Sequence, residues 1–120
     1  MARSILIVDD YATFRASARS LLEAEGFDVV GEAENGVTAL RLAKELEPEI
    51  VLLDVQLPDF DGFEVAERLC GLHPAPQVIL TSSLDGSDFG ALLASSPALG
   101  FIPKSDMSAR AIEALLVSSG

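Results

Sequence analysis

The 120-residue chain has one cysteine, one histidine, one tyrosine and no tryptophan. Cys70 alone cannot form an internal disulfide, and no Cys/His cluster exists to gather a zinc-type site, which suits a reducing compartment. Basic residues are also scarce: 8 Lys and Arg stand against 19 Asp and Glu, for a formal net charge of −11. A surface that neutralises phosphates needs the opposite balance, so direct nucleic-acid binding by this chain is not expected. Long apolar runs are missing. Stretches such as Ile5–Val8 and Ile50–Leu53 fall far short of the ~20 residues a membrane-spanning helix requires. The opening Met1-Ala2-Arg3-Ser4 leads into a strand-like run instead of the apolar core of a secretion signal. These absences lead us to expect a cytoplasmic protein with no membrane association. The length is below the usual ~150 residues per domain, so a single domain over 1–120 is expected. What the chain does have is apolar content, 49% of its residues, enough for a sizeable core despite the charge.

Strand-like and helix-like segments alternate along the whole chain. Ile5-Leu6-Ile7-Val8, Asp28-Val29-Val30-Gly31-Glu32, Ile50-Val51-Leu52-Leu53, Gln77-Val78-Ile79-Leu80 and Gly100-Phe101-Ile102 read as strands. Between them, Phe14, Ala18, Leu21 and Leu22 mark one helix face, ended by Gly26; Ala39, Leu40, Ala43 and Leu46 mark another, running from the Asn35-Gly36 turn to Pro48. Val65, Ala66 and Leu69 belong to a third helix, and Ala109, Ile112, Leu115 and Leu116 to the last. Gly86, Gly90 and several serines weaken the fourth. The run Ile50–Leu53 has no polar alternation, as in a strand buried on both faces, and so belongs in the middle of a parallel sheet. Five βα units predict a doubly wound α/β fold, a three-layer αβα sandwich around a five-stranded parallel sheet. The length favours the flavodoxin-like order 2-1-3-4-5 over a barrel, which needs ~250 residues.

Polar residues fall where the strands end. Asp9 and Asp10 follow the first strand, Asp54 the third, Thr81 the fourth and Lys104 the fifth. Ligands of open α/β sheets bind at the carboxyl ends of the strands, so these residues are expected to converge on one edge. Asp54 by itself could be a helix cap, and Lys104 by itself a solvated lysine. Their conjunction with the acidic pair is what carries the argument. Like charges ~4 Å apart repel by ~4 kcal/mol at an effective dielectric of 20. Such a cluster needs either a protonated member or a cation among its members. Oxygen ligands without His or Cys favour Mg2+ or a similar hard ion. A carboxylate beside such an ion, a lysine and a hydroxyl is the equipment for phosphoryl transfer to aspartate.

At these residues the chain resembles the receiver domain of two-component response regulators. The motifs are Ile5-Leu6-Ile7-Val8-Asp9-Asp10, then Leu53-Asp54-Val55-Gln56-Leu57-Pro58-Asp59-Phe60-Asp61-Gly62, Val78-Ile79-Leu80-Thr81, and Gly100-Phe101-Ile102-Pro103-Lys104. The resemblance implies that Asp54 is the phosphoacceptor. It implies that Asp9, Asp10, Asp54 and the main-chain carbonyl of Gln56 hold Mg2+. Thr81 then corresponds to the switch hydroxyl, Lys104 to the lysine that pairs with the phosphoryl group, and Phe101 to the aromatic switch position. Gln56 and Ser83 take the places that tune hydrolysis of the acyl phosphate.

The implied donor is the phosphohistidine of a histidine kinase or phosphotransfer protein. The implied output is a protein-binding or dimerisation face built from the fourth helix, fifth strand and fifth helix. Such a domain catalyses its own phosphorylation and dephosphorylation and is not a conventional turnover enzyme. The chain departs from the family pattern at Ser82, where Ala or Gly is usual, at Leu57 for Met, and at Ser105 for Pro. It departs again at Ser95-Ser96-Pro97, where small residues are usual, which together with Gly86 and Gly90 points to a short or mobile fourth helix. The segment Phe101-Ile102-Pro103-Lys104-Ser105 is similar to receivers that precede a DNA-binding module.

Two other functions compete. A haloacid-dehalogenase-type hydrolase would carry Asp-x-Asp after its first strand, where this chain has adjacent acids. A phosphorylation-independent module usually lacks one of Asp54, Thr81 and Lys104, all present here. His73 before Pro74 reads as a solvated residue and Cys70 as a small hydrophobe.

Overall fold

The computed structural model describes residues 3–83 and 89–119. The aliphatic runs are strands and the periodic stretches helices, in the order β1 (Ser4–Val8), α1 (Ala12–Ala24), β2 (Asp28–Ala33), α2 (Gly36–Leu46), β3 (Ile50–Asp54), α3 (Gly62–Cys70), β4 (Gln77–Ser82), α4 (Gly90–Ser95), β5 (Gly100–Pro103) and α5 (Ala109–Ser119). A 3-10 turn, Lys104–Asp106, joins β5 to α5. The strands make one parallel five-stranded sheet in the order β2-β1-β3-β4-β5. This is the doubly wound arrangement the alternation predicts.

Strand periodicity divides the core in two. Ile5, Ile7, Ile50, Leu52, Ile79 and Ile102 point to one face, against Ala18 and Leu22 of α1 and Ala109, Ile112 and Leu116 of α5. Leu6, Val8, Val51, Leu53, Val78 and Leu80 point to the other, against Ala39 and Ala43 of α2 and Val65, Ala66 and Leu69 of α3. Every residue of β3 is buried, as its lack of alternation predicts. Leu21 departs from expectation, being 36% exposed. It lies one step of ~100° round the helix from the buried Leu22, at the border of the apolar stripe.

The helix ends follow local chemistry. Asn35 Oδ1 accepts from Thr38 N at 2.8 Å and Asp61 Oδ1 from Glu64 N at 2.9 Å, capping α2 and α3. The Asn35-Gly36 pair is thus a turn that also starts a helix. Gly26 follows α1 at φ +94°, a conformation that glycine alone adopts freely. Glu47 closes α2 in the same left-handed region, at φ 47°. The fourth helix is short, six residues with none buried. Gly86, one of the residues expected to weaken it, lies outside the described residues. Among the described residues no helix is long and apolar enough to cross a membrane.

Candidate functional site

Parallel strands deliver their carboxyl ends to one edge of the sheet, and the polar residues arrive there with them. Asp9 follows the last residue of β1, Asp54 ends β3, Thr81 lies beside Asp54 in the β3–β4 register, and Lys104 follows β5. Asp9, Asp54 and Thr81 are buried, at 0%, 3% and 1% exposure, whereas Asp10 faces solvent.

The two buried acids are held alike. Asp9 Oδ1 accepts from Tyr11 N at 2.9 Å, and Asp54 Oδ1 accepts from Gln56 N at 2.9 Å. In each, the main chain two residues on fixes one oxygen, the short loop that aspartate favours. The other oxygen of each meets Lys104, whose Nζ lies 2.7 Å from Asp9 Oδ2 and 3.3 Å from Asp54 Oδ2. The Asp9 contact is an ion pair without hydrogen-bond alignment, so Asp9 Oδ2 keeps an unused acceptor position. The Thr81 hydroxyl is also buried and has no hydrogen-bond partner among the described residues. Leaving such a group unpaired costs about 1–3 kcal/mol, an energy that a ligand accepting from it recovers.

One ammonium does not neutralise this cluster. Burial pushes the Asp54 carboxyl up to about 6, and Asp9 adds to the rise, against the Gln56 N–H and Lys104, which favour the charged form. Burial also opposes the charge on Lys104, but its pairing with Asp9 and Asp54 outweighs that and holds its pKa above the ordinary lysine value. One oxygen each from Asp9, Asp10 and Asp54 lies within 4.8 Å of the others. The donors are all oxygen, two of the acids are buried and the third opens to solvent, a set that fits a hard divalent cation such as Mg2+.

The remaining expected residues surround this centre. Gln56 is exposed, directs its N–H to Asp54, and bridges to Asp61 across the loop. Phe101 does not join the carboxylates. It lies half-buried beside Leu80 in the β4–β5 register, with its ring 6.1 Å from that of Phe89, which in turn is 5.8 Å from Phe63. Ser82 is buried next to Thr81 and Ser83 is exposed. His73 is exposed, as expected; Cys70 is half-buried at the end of α3, and burial pushes its thiol up.

Several contributors escaped the sequence reading. Asp59 accepts from the main-chain N–H groups of Gly36, Val37 and Phe60 at 2.8, 3.0 and 2.9 Å, latching the loop after β3 onto the start of α2. Gly62 lets that loop return to the strand: a Cβ there would sit 2.6 Å from Val55 Cα. Arg15 donates to the Asp9 carbonyl at 2.6 Å and pairs with Glu32 at 3.1 Å. Lys104 Nζ lies 4.6 Å from the centre of the Phe14 ring and 5.1 Å from that of Tyr11. The Asp59–Gly62 cluster left a trace in the sequence as turn-forming residues, and Tyr11 by its place directly after the acidic pair, where it reads either as shaping access to the site or as a loop residue that only packs. The contacts of Lys104 with the two rings and of Arg15 with Glu32 join segments far apart in the chain.

The model of the response regulator receiver domain matches residues 5–116. The chain is 38% identical over 104 residues to the virulence-factor transcription regulator BvgA of Bordetella pertussis, covering 87% of this chain and 50% of BvgA. It is 33% identical over 118 residues to the response regulator GacA of Pseudomonas viridiflava, covering 97% and 55%. The chain thus spans about half the length of these curated relatives. Its fold is similar to that of a LuxR-family two-component response regulator from Aurantimonas sp. SI85-9A1, with a TM-score of 0.87, 32% identity, and coverage of 98% of this chain and 87% of that one. It is also similar to the receiver domain of NarL from Mycobacterium tuberculosis, with a TM-score of 0.84, 30% identity, and coverage of 98% and 95%. From the residues matched and the fold they adopt, the chain belongs to the response regulator receiver domains of two-component signalling systems.

Proposed function

We propose that this domain is a phosphorylation switch in which Asp54 accepts a phosphoryl group from the phosphohistidine of a histidine kinase or phosphotransfer protein. The observation that carries this reading is the ammonium of Lys104 shared between two buried acids, at 2.7 and 3.3 Å, beside a buried hydroxyl without a partner among the described residues. Asp9, Asp10, Asp54 and the main-chain carbonyl of Gln56 are the residues that would hold Mg2+. When bound, the ion supplies the positive charge that the acids and the phosphoryl oxygens both lack.

The chain's own residues do the rest. A carboxylate oxygen of Asp54 attacks phosphorus and the phosphorus–nitrogen bond of the donor breaks. The imidazole leaves with the bonding electron pair and takes a proton from solvent. Lys104 is already within reach of the Asp54 oxygen and pairs with the incoming oxyanion. Thr81 donates its hydroxyl hydrogen, which has no acceptor among the described residues, so the phosphorylated state gains a bond there. Water later attacks phosphorus in line, the bond to the Asp54 oxygen breaks, and inorganic phosphate leaves; Gln56 and Ser83 flank that path.

Output follows from the same gain. Thr81 and the residue paired with Ile102 in β5 are one and the same, so movement of Thr81 toward a phosphoryl group shifts the strand that carries Phe101. The surface of α4, β5 and α5 is the face we assign to a protein partner or a second copy of the chain. BvgA and GacA are about twice as long as this chain, and BvgA is named as a transcription regulator, so a linked output module is part of this reading.

The test is incubation with Mg2+ and acetyl phosphate, followed by intact mass measurement. The expected result is a labile gain of one phosphoryl group, absent in Asp54→Ala. Steady release of phosphate from small substrates would favour a hydrolase, and no change with any donor a phosphorylation-independent module.

A further inference from the structure

The phosphoacceptor reading leaves unexplained what holds Lys104 midway between two acids at the mouth of the site. Its side chain is only 15% exposed, yet ion pairing alone would let a flexible four-carbon stem swing toward water. Two rings border the ammonium. Phe14, in the first turn of α1, packs against the core on that face of the sheet and lies 4.6 Å from Lys104 Nζ. Tyr11, directly after the acidic pair, lies 5.1 Å away. Both distances fall inside the ~6 Å range over which the face of an aromatic ring attracts a cation.

Tyr11 differs from Phe14 in one decisive respect. It is 65% exposed and belongs to neither core cluster. Burial of apolar area therefore does not account for its placement over Lys104. Its main chain is anchored by the N–H bond to Asp9 Oδ1 at 2.9 Å. One residue thereby fixes an acid through its backbone and covers the neighbouring cation with its ring.

We infer that Tyr11 is a positioning residue: its ring, with that of Phe14, forms an aromatic seat that holds the Lys104 ammonium ready for a phosphoryl oxygen. The inference rests on the phosphoacceptor reading for its consequence, but the seat itself is a matter of geometry. Lys104 held in place loses less freedom when the phosphoryl group arrives. An exposed cation–π contact of this kind corresponds to about 2–5-fold in affinity.

Tyr11→Phe keeps the ring, and Tyr11→Leu keeps an apolar side chain of similar reach without one. Both keep the main-chain N–H to Asp9, and the exposure of the site lets both fold. Two readouts apply to the three proteins: the proton shift of the Lys104 ε-methylene by NMR, and the affinity for beryllofluoride in the presence of Mg2+. Wild type and Tyr11→Phe are expected to show the same upfield ring-current shift and the same affinity. Tyr11→Leu is expected to lose part of the shift and to bind beryllofluoride about 2–5-fold more weakly. Equal shift and equal affinity in Tyr11→Leu and wild type would overturn the seat. If wild type takes up no beryllofluoride, the phosphoacceptor reading fails instead. The methylene shift then decides the seat alone, supporting it if Tyr11→Leu moves it and overturning it if not.

Discussion

Replacing Asp54 with asparagine keeps the shape of the side chain and removes its charge, and the structure fixes how stability should respond. The folded-state pKa of Asp54 stands at about 6 against an ordinary 3.8, raised first by burial and then by Asp9. The folded protein therefore holds this proton more tightly than the unfolded chain. Where the native state binds more protons, stability falls as pH rises, so the loss runs from about pH 4 to about pH 6 and is complete above it. A gap of roughly two pKa units at 1.36 kcal/mol each gives up to about 3 kcal/mol. Asp54 is 3% exposed, so solvent screening takes little from this figure.

Asparagine keeps an oxygen for the Gln56 N–H and leaves Lys104 its ion pair with Asp9. Asp54→Asn should accordingly be the more stable protein at pH 7 by up to about 3 kcal/mol, with the gap closing toward pH 4. Urea unfolding in EDTA reads this directly. With a slope of about 1–3 kcal/mol per molar, the midpoint separates by about 1–3 M at pH 7 and converges in acid. Saturating Mg2+ should shrink the gap, because wild type alone regains the cost of its third carboxylate. A constant difference between pH 4 and 7 would refute the claim that ionised Asp54 is destabilising in the metal-free fold.

Three more outcomes follow from the loops and caps. Gly62→Ala places a Cβ 2.6 Å from Val55 Cα and should cost at least about 1–3 kcal/mol in thermal unfolding, with weaker Mg2+ binding as Gln56 is displaced. Asp59→Ala removes the acceptor for three main-chain N–H groups and should cost about 1 kcal/mol at pH 7. Those hydrogen bonds outweigh desolvation and hold the Asp59 carboxyl below its ordinary value, so the difference should disappear as pH falls below about 4; a difference that persists in acid would contradict the capping role. Glu47→Gly relieves a left-handed residue at φ 47° and should raise stability by about 0.5–1 kcal/mol, seen as a higher melting temperature.

The sequence alone determined the order of the elements, the parallel sheet and the residues that meet at its edge. Strand runs and helix stripes are local signals, and the doubly wound topology turns any residue just past a strand into a neighbour of the others. That is why Asp9, Asp54, Thr81 and Lys104 could be grouped before any coordinate was known. Tertiary structure decided what those residues do to one another. The sharing of Lys104 between two acids, the raised pKa of Asp54 and a Thr81 hydroxyl unpaired among the described residues depend on burial and on distances of a few ångströms. The Tyr11 and Phe14 rings over Lys104 and the Asp59 latch onto α2 join segments distant in the chain. No periodicity or turn signal encodes such contacts, because each exists only once the sheet has brought the two segments together.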